Sequence, residues 1–269
     1  MVRVETLGYV ASIFMGLSLG MTGGGGSILT VPILVYLFRV PPVLATGYSL
    51  FIVGLTALIG GVNYTRRGEA DLKTGANFAI PSFLGVYSSR AYVIPRLPDP
   101  VFSVGNTAIP KPLLIMAVFS LFMLAASISM IRGRKDVGTG VSAPHRPAGL
   151  IAAIGFVVGL VTGFVGAGGG FLIIPALVLL VGLRMKIAVG TSLVIIATQS
   201  LFGFTGDLQH QENAMNWTLL LSLSAISIMG IAIGMKLARK VSERTLKKGF
   251  GYFVLVMGLF ILFDQARRL

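Results

Sequence analysis

The chain has 269 residues, 55% of them hydrophobic, a mean hydropathy of +0.88 and only 12% charged residues. That is about half the charge of a soluble domain, too little to cover a water-facing surface, so the sequence describes an integral membrane protein. The lack of cysteine excludes disulfide scaffolds and thiolate-bound zinc, haem or iron–sulfur sites, and the net charge of +13 is read as basic loops of a multi-pass protein rather than a nucleic-acid surface.

The charges divide the chain into eight apolar segments. Glu5 to Arg39 leaves 33 uncharged residues, Arg39 to Arg66 26, Lys73 to Arg90 16 with apolar sequence continuing to Pro95, and Lys111 to Arg132 20. The second group runs Arg146 to Arg184 with 37, Lys186 to Asp207 with 20, Glu212 to Lys236 with 23 and Lys248 to Asp264 with 15. A helix needs roughly 20 residues to cross the hydrocarbon. The first and fifth segments are too long for one span and short for two. The N-terminal run after Arg3 lacks a small-residue cleavage site leading into polar sequence, and reads as a retained segment.

Those two long segments match each other. With a shift of 143, Gly16–Gly60 aligns without gaps on Gly159–Gly203, pairing Gly20/Gly163, Gly23/Gly166, Gly25/Gly168, Gly26/Gly169, Pro32/Pro175, Gly47/Gly190 and Ser49/Ser192. The chain therefore reads as an all-α polytopic membrane protein of two four-segment repeats, 1–131 and 147–269, joined by a basic cytoplasmic linker at 132–146.

Each long segment contains a glycine cluster: Thr22-Gly23-Gly24-Gly25-Gly26-Ser27 and Gly166-Ala167-Gly168-Gly169-Gly170. Each glycine costs roughly 1 kcal/mol in a helix relative to alanine, so these runs break the helix. A break inside the bilayer persists only where protein or a wet cavity covers it. The predicted first arms are Thr6–Thr22 and Pro147–Val165, and the second arms Ser27–Phe38 and Phe171–Leu183. If both segments fold back at their tips, basic residues divide 15 against 7 between the two sides. If all eight cross, they divide 12 against 10. The fold-back reading is preferred. It makes each half odd in crossings, so the halves are inverted and both chain ends lie outside.

The backbone N–H groups that open each second arm lack helical partners and carry the positive end of the macrodipole. Two such ends facing each other would hold an anion without a basic side chain. The candidate substrate-binding residues are accordingly Thr22, Gly23, Gly24, Gly25, Gly26 and Ser27 at one tip and Gly166, Gly168, Gly169 and Gly170 at the other. Thr46, Ser49, Thr191, Ser192 and Gln199 follow them, together with Arg90, the basic residue set within apolar sequence. Asn63 and Asn77 are further amides in or near spans. Gly16-x-x-x-Gly20 and Gly159-x-x-x-Gly163 read instead as helix-packing motifs. Every carboxylate and both histidines are placed in loops or near span ends, which leaves no proton relay and no cation site in the membrane. Asp207, His210 and Glu212 read as a solvated loop rather than a metal site. No nucleophile–base pair suggests an enzyme, and no cofactor is implied.

With Ala45-Thr46-Gly47-Tyr48-Ser49-Leu50 and Ala188-Val189-Gly190-Thr191-Ser192-Leu193 following the duplicated glycine-rich segments and prolines, the chain resembles the sulfite exporter TauE/SafE family. The resemblance spans nearly the whole chain. It implies a transporter of the bacterial or archaeal plasma membrane that exports sulfite or small organosulfonates. The site is expected near midplane between the tips, with one half moving against the other. A homodimer is left open. An anion channel and a non-transporting assembly factor are the alternatives.

Overall fold

The computed structural model describes residues 2–104, 107–132, 147–166, 168–183, 185–211, 215–238 and 243–267. All of the predicted linker beyond Arg132 lies outside them. The described chain is almost entirely helical. In order it forms α1 (Val2–Thr22), α2 (Ser27–Pro32), α3 (Pro42–Arg66), α4 (Leu72–Ser88) and α5 (Ile94–Arg96), then α6 (Lys111–Arg132), α7 (Ala148–Val165) and α8 (Gly170–Pro175). The series ends with α9 (Met185–Gln211), α10 (Trp217–Leu237) and α11 (Glu243–Arg267). A small antiparallel hairpin, β1 (Phe102–Val104) with β2 (Thr107–Ile109), departs from the all-helical expectation. Three helices, Pro42–Arg66, Lys186–Leu208 and Trp217–Leu237, are long and apolar enough to cross a membrane.

Local chemistry accounts for the boundaries. Pro41 is extended, at ψ 138°, and Pro42 opens α3, where a missing N–H leaves no bond unmade. Asp71 and Asn216 cap α4 and α10 by accepting from the N–H groups of Thr74 and Leu219. Two prolines act alike. Pro32 closes α2 and Pro175 closes α8, and in each case the helix continues as a wide π-turn, Ile33–Leu37 or Ala176–Val181. A proline offers no N–H and crowds the carbonyl four residues earlier, so the ladder loosens around it. A third π-turn, Ser89–Val93, joins α4 to α5.

Helix directions follow from backbone-to-backbone contacts at glycines. A Cβ on Gly16 would strike the Ser227 carbonyl, one on Gly20 the Ile231 carbonyl, and one on Gly234 the Leu17 carbonyl. Residue numbers rise together, so α1 and α10 run parallel. The same holds for α4 and α7, where Gly155, Gly159 and Gly163 face Phe78, Ser82 and Val86. α4 and α9 are also parallel, with Gly75 against Thr191 and Gly206 against Arg90. So are α3 and α10, where the Asn216 N–H donates to the Tyr48 hydroxyl at 2.6 Å and Gly60 meets Ile231. α3 and α9 run antiparallel, with Gly47, Gly54 and Gly61 against Asp207, Leu201 and Val194. α6 and α11 pack on each other beside this group.

Thus α1, α3 and α10 point one way, and α4, α7 and α9 the other. The outer surface is apolar: Phe14, Met229 and Val256 are 60%, 62% and 65% exposed, as befits side chains that face lipid.

Replacing Gly16 by Val forces α1 off α10 and is expected to destabilise the protein by roughly 2–4 kcal/mol. Gly149→Ala, at a helical position with nothing within 4 Å, should be neutral or stabilising by up to about 1 kcal/mol. Thermal unfolding of the detergent-solubilised variants checks both.

Candidate functional site

The site is built around the two glycine clusters. α1 stops at Thr22, whose hydroxyl donates to the Ser18 carbonyl at 2.9 Å and accepts from the Gly25 N–H at 3.0 Å. Gly23 turns the chain at φ +74°, a left-handed conformation that glycine takes without strain. The Ser27 hydroxyl then donates to the Gly24 carbonyl at 2.7 Å. The chain returns along α1: a Cβ on Gly26 would meet the Met15 carbonyl, and the Phe38 ring packs edge-on against Tyr9 at 5.4 Å. In the second cluster α7 ends at Val165, and Gly166, Gly168 and Gly169 all have positive φ, at +72°, +64° and +71°. The Gly169 carbonyl accepts from the N–H groups of Leu172 and Ile173, both at 2.9 Å.

The two clusters touch. A Cβ on Gly24 would collide with the Gly170 backbone, and one on Gly170 with Gly24 and Ile196. Ile196 lies 11 residues into α9 and 15 from its end, about 17 Å and 23 Å along the axis. The contact is therefore near mid-height, and residues 23–26 and 168–170 are buried. Backbone fills the space between the tips in this conformation.

Of the candidate hydroxyls and amides, Ser192, Gln199 and Thr46 lie against the tips, whereas Asn77 is exposed on α4 and Thr191 turns elsewhere. Ser192 donates to the carbonyls of Gly23 and Val189, both at 2.8 Å. Gln199 donates to the Gly168 carbonyl at 2.8 Å while its own oxygen accepts from the Ser82 hydroxyl. Thr46 lies where a Cβ on Gly166 would be, and donates to the Val43 carbonyl at 2.8 Å. Ser49 and Ser200 are fully buried, and their hydroxyls have no partner. Ser200 Oγ lies 3.3 Å from the position of a Cβ on Gly168. Buried hydroxyls without partners cost about 1–3 kcal/mol each. The oxygen of Asn63 is likewise buried and unmatched. Thr191 accepts from the Asp71 N–H at 2.9 Å, so it faces the α3–α4 loop.

Arg90 and Asp207 correct the sequence reading. Asp207 is in α9, not in a loop, and is 3% exposed. Arg90, in the π-turn after α4, is 1% exposed. Arg90 Nε and Nη2 donate to Asp207 Oδ2 at 2.8 and 2.5 Å, and Nη1 donates to Thr46 Oγ1 at 2.8 Å. A carboxylate thus lies within the helical bundle, and Arg90 reaches the candidate residue Thr46 with its charge already matched. Removing one member of such a pair strands a buried charge, at a cost of about 3–5 kcal/mol. Neither Asp207 nor its neighbours form a metal cluster among the described residues; Glu212 lies outside them. Ser82–Gln199 and Arg90–Asp207 share one separation, 117 residues. Both follow from the register of α4 on α9, which no local motif announces.

A model of the Sulfite exporter TauE/SafE family matches residues 9–261. A probable membrane transporter protein of Xylella fastidiosa (strain Temecula1 / ATCC 700964) is 28% identical over 257 residues, covering 92% of this chain and 91% of the relative. The probable membrane transporter protein YunE of Bacillus subtilis (strain 168) is 28% identical over 287 residues, covering 96% and 98%. The probable membrane transporter protein MJ0441 of Methanocaldococcus jannaschii is 26% identical over 265 residues, covering 94% and 93%. No solved structure matches.

Asp71 caps α4 and joins the α3–α4 loop to Thr191 of α9. Burial pushes its carboxyl up, but hydrogen bonds from the Thr74 N–H and hydroxyl and from the Lys73 N–H, with the Lys73 charge, outweigh this and hold it below the usual carboxylate range. A depressed folded-state pKa means the stabilisation is present above the unfolded value of about 3.9 and is lost as pH falls through the folded one. Asp71→Ala should therefore destabilise by about 1 kcal/mol at pH 7. The gap to wild type in melting temperature should close as pH drops below that range.

Proposed function

The chain belongs to the sulfite exporter TauE/SafE family and is a multi-pass membrane transporter, and from that premise we propose that it exports a small sulfur oxyanion, sulfite or an organosulfonate, across a prokaryotic plasma membrane. In this reading residues 1–131 and 147–269 are inverted repeats. The anion passes the midplane between the glycine tips and is held by backbone N–H groups and the hydroxyls beside them. The observation that carries the reading is the contact of Gly24 with Gly170 between antiparallel α3 and α9.

The helix directions support inversion. The corresponding helices α1 and α7, α3 and α9, and α4 and α10 point in opposite senses. On this arrangement the α3–α4 loop, the chain between α6 and α7, the α8–α9 turn and the chain between α10 and α11 share one side. By sequence these hold 15 of the 22 basic residues, Arg132 included, the bias that marks a cytoplasmic face. The donor chemistry supports an anion. Partial charges on N–H and hydroxyl groups attract an oxyanion yet release it, whereas an unmatched buried cation would hold it. Outward opening at one tip and inward opening at the other would give alternating access.

Two measurements test this reading. Proteoliposomes containing only this chain should release sulfite in a saturable manner. Folded Gly24→Ala and Gly170→Ala variants should lose most of that flux, and flux that persists in both removes the site from between the tips. The chain has no native cysteine, so Arg67→Cys and Thr218→Cys can be labelled cleanly. These exposed positions adjoin corresponding loops of the two halves and should react from opposite faces of the membrane; labelling from one face refutes inversion.

A further inference from the structure

We propose that Arg90 is an anion subsite at the end of the bundle where α4 and α9 finish, and that the Asp207 carboxylate occupies it as an internal stand-in for the transported oxyanion. The inference rests on the oxyanion reading above and names a residue that binds the cargo away from the tips.

The first argument is the comparison of the two halves. The shift of 143 that aligns them puts Tyr64 at the place of Asp207, Gly20 at that of Gly163 and Ile233 at that of Arg90. Tyr64 donates its hydroxyl to the Gly20 carbonyl at 3.2 Å, while Arg90 Nη1 lies 3.5 Å from the Gly163 carbonyl. The same joint is therefore closed by a neutral phenol in one half and by an ion pair in the other. Packing alone does not demand the charges. A buried ion pair is rarely more stable than apolar side chains of the same volume, so holding the helices together is a weak reason to keep one.

The second argument is geometric. One edge of the guanidinium, Nε and Nη2, spends both its donors on the single oxygen Oδ2 of Asp207. A planar fork of five donors is better matched by an anion that presents two oxygens side by side. A sulfite or sulfonate group does so and has a third oxygen to spare. Thr46 supplies the adjoining hydroxyl, bound to Nη1.

The third argument is the lining. Gly47 and Gly206 flank the pair with bare backbone. A Cβ on Gly47 would lie 2.7 Å from Asp207 Oδ2 and 2.9 Å from Arg90 Nη2, and one on Gly206 3.1 Å from Arg90 Cβ. Thr46, Ser49 and Val53 are spaced three and four apart, so they share a face of α3. Thr46 meets Gly166 and Val53 meets Gly168. Ser49, with its unmatched hydroxyl, lies between them. A row of buried hydroxyls, Thr46, Ser49 and Ser200, thus leads from Arg90 toward the second tip.

The test is sulfite binding by purified protein in detergent, read as the sulfite concentration needed to raise the melting temperature. Asp207→Asn removes the stand-in and should respond at sulfite concentrations at least about tenfold lower than wild type. The R90Q/D207N double variant leaves no stranded charge, so it should fold, with unchanged far-ultraviolet circular dichroism, and should lose the gain in sulfite response that Asp207→Asn brings. A double variant that keeps the gain of D207N, or a D207N variant that needs as much sulfite as wild type, would overturn the inference and leave the pair a structural strut. Wild-type proteoliposomes that move no sulfite would count against the transport reading instead, because the binding comparison does not depend on flux.

Discussion

Hydrocarbon offers no partner to a peptide group, and every N–H and C=O within the bilayer must be satisfied by the protein itself. This chain breaks two helices inside apolar sequence, at residues 23–26 and 166–169, and the rest of the bundle is arranged to cover those breaks. The Thr22 and Ser27 hydroxyls take up backbone groups of the first break from within it. Ser192 and Gln199 do the same from α9, which passes both tips. Each tip then seals against the other, at Gly24 and Gly170.

Covering a break requires close approach, and close approach requires small residues. The parallel pairs α1–α10 and α4–α7 meet along glycines whose positions admit no Cβ, because a facing carbonyl or backbone atom already stands there. Packing between apolar helices in lipid gains nothing from the hydrophobic effect, so contact distance carries the association. The same glycines keep the arms of each fold-back segment near their covering helices.

What the sequence makes legible is local. Four consecutive glycines mark where α1 stops and α2 begins, and the proline six residues beyond Gly26 marks the end of α2. The Gly-x-x-x-Gly spacing identifies packing faces, yet it does not say that Gly16 faces Ser227 or that Gly159 faces Ser82. Partner choice depends on how whole helices pass one another. Asp207 lies in α9 rather than a loop. Its neighbours His210 and Glu212 give it the look of a loop residue, and only the register of α4 on α9 brings Arg90 to it. The hairpin at 102–109 escaped notice because its strands are three residues long, too short for an alternating pattern to stand out.

The crossed pairing of helices has a consequence for how the molecule can change shape. α1 is fastened to α10 and α7 to α4, each by a seam of backbone contacts, and the members of each pair come from different ends of the chain. A stretch of sequence on either side of residues 132–146 could move as a body only by parting those seams. The stiff units are composite, one built on α1, α2 and α10 and the other on α7, α8 and α4, like two hands with interlaced fingers. On the reading proposed above, motion between them would be taken up at their shared borders, α3 against α9 and tip against tip.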